Sequence, residues 1–127
     1  MDEHTPALTW FEVPADDFER ACRFYETILD APLKRDAMEG DLMGVFPGGE
    51  AGVGGCVFHG PHATRPAENG SVVYLNCSGK LDAVVGRVAA AGGAVLMPPT
   101  PLDRGLGRIA VIRDSEGNRV GLHAFAG

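Results

Sequence analysis

The spacing of apolar and polar positions along the chain switches between two periods, and each switch marks an element. "LTWFEVP" is a short β-prone run closed by Pro14. In "ADDFERACRFYETILDAPL", Phe18, Ala21, Cys22, Tyr25, Ile28 and Leu29 recur at helical spacing, which predicts an amphipathic helix that stops before Pro32. Asp16 with Glu19 resembles a capping box, and the acidic first turn suits the positive end of a helix. Strand-like pieces follow at about Leu33 to Met38, Leu42 to Phe46 and Gly52 to Phe58, divided by the turn compositions "EGD" and "PGGEA".

After the polar loop "HGPHATRPAENG" the order starts again. "SVVYLNC" reads as a strand, and "SGKLDAVVGRVAAAGG" as a helix with Leu81, Val84, Val85 and Val88 on its apolar stripe and Gly92 as its stop. "AVLM", "GRIAVIRD" and "NRVGLHAF" read as strands, the last two joined by "SEGN", where Gly117 is expected to take a positive φ. Strand, helix and three strands therefore occur twice, with Trp10 matching Ser71 and Asp17 matching Ser78 at an offset of 61 residues. The expected organisation is one domain over 1–127: module one about 8–59, a connecting loop about 60–70 and module two about 71–125.

Composition narrows the function. The 127 residues are 45% apolar and 22% charged, ordinary for a globular protein, and the net charge of −6 leaves no basic field for nucleic acid. No apolar run reaches the length of a spanning helix, and "MDEHTPAL" lacks the pattern of a signal peptide, so a cytoplasmic protein without a membrane partner is expected. Cys22, Cys56 and Cys77 are isolated and odd in number, which argues for buried free thiols and not a disulfide framework.

The pieces "WFEVPADDFERACRFYETILD", "AAAGGAVLMPP" and "GRIAVIRDSEGNRVGLH", with the repeat, resemble the vicinal oxygen chelate superfamily, specifically its glyoxalase-like and bleomycin-resistance-type proteins. The superfamily also includes lactoylglutathione lyases, extradiol dioxygenases and fosfomycin-resistance enzymes. The resemblance implies an α+β fold of two paired βαβββ modules, each a curled sheet with a concave cleft and helices outside, and a homodimer. In metal-dependent members it implies ligands on the first strand, the first strand of module two and the last strand, with a divalent ion chelating substrate oxygens as a Lewis acid.

On that pattern the ligand positions fall on Trp10, Ser71 and Gly121, none of which is a usual metal ligand. The resulting expectation is that the protein holds no metal and no cofactor; a relocated set drawn from His59, His62 and His123 is the alternative. Strand alternation places Trp10 and Glu12, then Ser71, Val73, Leu75 and Cys77, then Arg119, Gly121 and His123 on the cleft side. Trp10 reads either as core filler or as a wall that stacks on a planar ligand. Glu12 reads as a surface or interface residue, a ligand-binding carboxylate or a general base, and His123 as a hydrogen-bonded strand-end residue, an acid or base, or a ligand. The expected function is binding of a small, partly apolar molecule, as in sequestration or resistance. The alternative is an enzyme of the same fold, a lyase, isomerase or dioxygenase, acting through Glu12 and His123 or a relocated metal.

Overall fold

The computed structural model describes residues 1–127 and has two helices and two four-stranded mixed sheets. Module one comprises β1 (Trp10–Pro14), α1 (Phe18–Leu29), β2 (Lys34–Met38), β3 (Asp41–Val45) and β4 (Gly54–His59). Module two comprises β5 (Tyr74–Asn76), α2 (Leu81–Ala91), β6 (Ala94–Pro101), β7 (Arg108–Arg113) and β8 (Arg119–Ala124). The sheets run β1-β4-β3-β2 and β5-β8-β7-β6, so each first strand lies parallel beside the last strand of its own module and forms a sheet edge. This is the α+β arrangement expected of a twice-used βαβββ unit, with no closed barrel.

Local chemistry sets the element ends. Asp17, not Asp16, caps α1: its carboxylate accepts from the Arg20 backbone N–H at 3.1 Å, and Asp30 ends the helix in the left-handed region. Gly92 ends α2 in the same conformation. β2 and β3 turn through Glu39 and Gly40, both at positive φ, which matches the twist of a tight hairpin. β6 extends past "AVLM" through Pro98 and Pro99, since it is an edge strand and two register shifts absorb the missing donors. No helix is long and apolar enough to cross a membrane.

One core serves both modules. Phe18, Ala21, Cys22, Phe24, Tyr25 and Ile28 of α1 pack with Val57 of β4 and with Leu81, Val84 and Val88 of α2. They also meet Leu75, Ala110, Ile112, Val120 and Leu122 of the second sheet, and burial at this scale is the main stabilising term. All three cysteines are buried and free, and burial pushes each thiol upward, to about 11 for Cys22 and Cys77.

A polar latch joins the modules where "FYETILD" meets "DSEGN". The buried Tyr25 hydroxyl donates to Asp114 at 2.6 Å, and Asp114 also accepts from the backbone N–H of Glu116 and Asn118. Burial, reinforced by Asp114, holds the Tyr25 phenol well above its usual range. The Glu116 carboxylate, with no side-chain exposure, takes a fork from Arg20 and the backbone N–H of Asp17 at the start of α1. Asn118 completes the joint by donating to the Pro14 carbonyl at 2.7 Å.

Candidate functional site

The register decides what each sheet exposes. On β1, Val13 is buried in the core and Phe11 packs against it, while Trp10 and Glu12 point to the other face and are exposed. On β5 the buried residue is Leu75, so Tyr74 and Asn76 take the exposed positions. Cys77 follows Leu75 into the core. The cleft-facing assignment of Cys77 is therefore corrected: it lies in the core and does not line the cavity between the modules. "SVVYLNC" is apolar at four consecutive residues, Val72 to Leu75, so alternation could not choose its parity. Matching the buried pair Val13 and Ala15 to Leu75 and Cys77 gives an offset of 62, which pairs Trp10 with Val72 and Glu12 with Tyr74.

The resemblance puts expected ligand positions at Trp10 and Gly121, and the offset of 62 moves the third from Ser71 to Val72. Trp10 lies against Gly54, its β-ladder partner, with Cζ3 3.0 Å from where a Cβ would stand. Gly121 pairs with Tyr74, and any Cβ on it would overlap the Tyr74 ring. Val72 offers an aliphatic side chain. Cys56, which pairs with Glu12, is fully buried; burial pushes its thiol up to about 12, Glu12 adds to the rise and the Trp10 indole opposes it. A glycine under a tyrosine ring, a valine, an indole and a neutral thiol do not suit a hard divalent ion.

The histidines are engaged elsewhere. His123 on β8 contacts the Leu106 carbonyl through Nε2 at 2.7 Å and meets Phe125 edge-on, which ties the 102–107 segment to the strand. His59 contacts the Ala15 carbonyl through Nδ1 at 2.7 Å, and His62 contacts the buried Asp41 carboxylate through Nδ1 at 2.6 Å. Asp41 also accepts the His62 backbone N–H, and these contacts lower its carboxyl below the ordinary aspartate value. His59 thus ties the end of β4 to the residue after β1, His62 anchors the connecting loop to β3, and His123 serves the second sheet. No three His, Cys, Asp or Glu side chains converge as a ligand set.

Between the edges of the two sheets lies a cavity of about 890 Å³. Its walls are apolar: Leu8, Phe11, Phe46 and Val53 from module one, Val73, Tyr74 and Leu75 from module two. Phe11 and Phe46 stack at 5.7 Å, and Asn76 and Lys80 bring polarity to the module-two side. Ser71, Val73 and Leu75 of the residues expected to contact ligand line this space; Trp10, Gly121 and Cys77 do not. Tyr74 is not among the expected residues because strict alternation selects one parity, whereas the cavity is lined by every residue from Ser71 to Asn76. Glu12 lines a smaller polar recess with Arg65 and Arg119, and Ser71 and Val73 wall both spaces.

Residues 7–122 match the model of the Glyoxalase/Bleomycin resistance protein/Dioxygenase superfamily. The chain belongs to this superfamily. Over 116 residues, 89% of its length, it is 34% identical to CFP32 of Mycobacterium bovis, a protein named as a candidate glyoxylase, and matches CFP32 of Mycobacterium tuberculosis equally. It spans only 42% of those curated relatives. Among solved structures, a glyoxylase/bleomycin resistance protein/dioxygenase domain from Frankia superposes with a TM-score of 0.68 at 21% identity, covering 94% of this chain and 97% of that one. A glyoxalase/bleomycin resistance protein from Albidiferax ferrireducens gives 0.65 at 21% identity, covering 94% and 98%. Identities at this level establish the glyoxalase-like fold, and the site must carry the function.

Proposed function

We propose that this superfamily domain binds a small, planar, largely apolar molecule in the cavity between its modules, without a metal, in the manner of a sequestering or resistance protein. The observation that carries this reading is the 890 Å³ space walled by Tyr74, Phe11 and Phe46, a size and chemistry typical of ligand pockets. Tyr74 is 51% exposed and braced from below by Gly121, so its ring offers a fixed stacking face at low entropic cost. Asn76 and Lys80 supply the few polar contacts that orient such a ligand.

A homodimer is part of the proposal. β1 and β5 are sheet edges with backbone groups open to pairing, and both carry exposed aromatics, Trp10 at 40% and Tyr74 at 51%. Sedimentation analysis is expected to give twice the monomer mass, and a monomer at micromolar concentration would contradict it.

The metal-free part is tested by titrating zinc, nickel and manganese into the purified protein. No stoichiometric binding that depends on Trp10, Val72 or Gly121 is expected. A tight ion, one per chain, lost in Trp10→Ala would overturn it.

A further inference from the structure

We propose that the recess where the C-terminal end of β1 meets the start of β8 is a second binding site, shaped for the head group of an α-amino acid. The recess has a volume of about 200 Å³ and is lined by Glu12, Arg65, Asn69 and Arg119 over an apolar floor of Val13 and Val120. Its frame is fixed. Asn118 donates to the Pro14 carbonyl at 2.7 Å and to Asp114 at 3.0 Å, and accepts the Ala67 backbone N–H, so one side chain binds β1, the β7–β8 turn and the connecting loop together.

The charges in this frame point to the ligand. Arg20, Arg35, Arg108 and Arg113 each hold a carboxylate of the chain. Arg87 holds the Ile28 carbonyl, and of the four arginines that remain without a carboxylate, Arg23, Arg65, Arg104 and Arg119, two line this one recess, Arg65 and Arg119. Glu12 lies in the same recess outside ion-pair distance of either. Two free guanidinium forks suit a carboxylate, and a separated carboxylate suits an ammonium group, so the recess is complementary to a zwitterion with both charges on a small body. The apolar floor leaves room for a short aliphatic side chain. The site stands beside the cavity reading and does not depend on it, since only Ser71 and Val73 are shared walls.

The test is a titration of the full chain with L-alanine, acetate, methylammonium and inorganic phosphate, followed by amide and arginine Nε chemical shifts. L-Alanine is expected to give saturable shifts at Arg119, Asn69 and Ser71, and to bind at least about tenfold more tightly than acetate or methylammonium. Arg65→Gln and Arg119→Gln should each weaken alanine about tenfold or more, and Glu12→Gln should reduce alanine to the level of acetate while leaving acetate unweakened. Both arginines and Glu12 are exposed, so these variants are expected to keep the wild-type spectrum elsewhere. Acetate or phosphate binding as tightly as alanine, shifts that do not saturate, or alanine binding untouched by Arg119→Gln would overturn the proposal. Tyr74→Ala should leave the alanine titration unchanged, which separates failure at this site from failure at the cavity.

Discussion

Tyr74 can lie flat on its sheet only because residue 121 has no side chain. Gly121→Val should therefore push the ring off its seat and cost about 1–3 kcal/mol by overpacking, measurable by urea denaturation. An unchanged midpoint would mean that the ring moves away freely and provides no fixed wall. Under the resemblance, the distance of Gly121 from "DSEGN" put it at an expected ligand position. That an aromatic ring lies over it was not legible, because "SVVYLNC" has no polar residue among Val72 to Leu75 to reveal which side faces outward. Glu12 and His123 show the same boundary. Alternation on β1 and β8 put each on the face of Trp10 or Gly121, but the partner of His123 lies 17 residues away in a loop, and no local pattern predicts it.

At the scale of elements, the joint between α1 and the β7–β8 turn holds the modules together. Glu116→Gln removes the charge that Arg20 and the start of α1 receive, with an expected loss of about 1.5–3 kcal/mol. The joint also gives stability an acid dependence. Burial pushes the Glu116 carboxyl up, but Arg20, the Asp17 N–H and Ser115 outweigh it and bring it below the usual glutamate value of 4.5. A carboxyl lowered on folding stabilises the folded state above its unfolded pKa, and that contribution disappears as pH falls through the folded value. Denaturation midpoints should fall less steeply below about pH 4.5 in Glu116→Gln than in the wild type. Parallel acid limbs in the two proteins would show that Glu116 is not a source of the dependence. The helices themselves were legible, since Phe18 to Ile28 and Leu81 to Val88 keep their period. The cap shifted from Asp16 to Asp17 because both acidic residues satisfy the same local rule, and only the backbone decides between them.

For the whole molecule, the repeat was the most informative feature: it carried the βαβββ order, and with the pieces around "FYETILD" and "DSEGN" it supported the resemblance to the superfamily. It did not give the cavity, which arises from how far two sheet edges stand apart and so from side-chain volumes that are distant in sequence. The function proposed for this cavity is binding of a planar apolar ligand without a metal. Its most direct test is calorimetric titration with 2-naphthol, before and after dialysis against EDTA, on the wild type and Tyr74→Ala. Saturable binding of one molecule per chain is expected, unchanged by EDTA and weakened in Tyr74→Ala by about 1 kcal/mol, roughly fivefold. Binding that EDTA abolishes and Tyr74→Ala leaves intact, or no saturable binding at all, would contradict it.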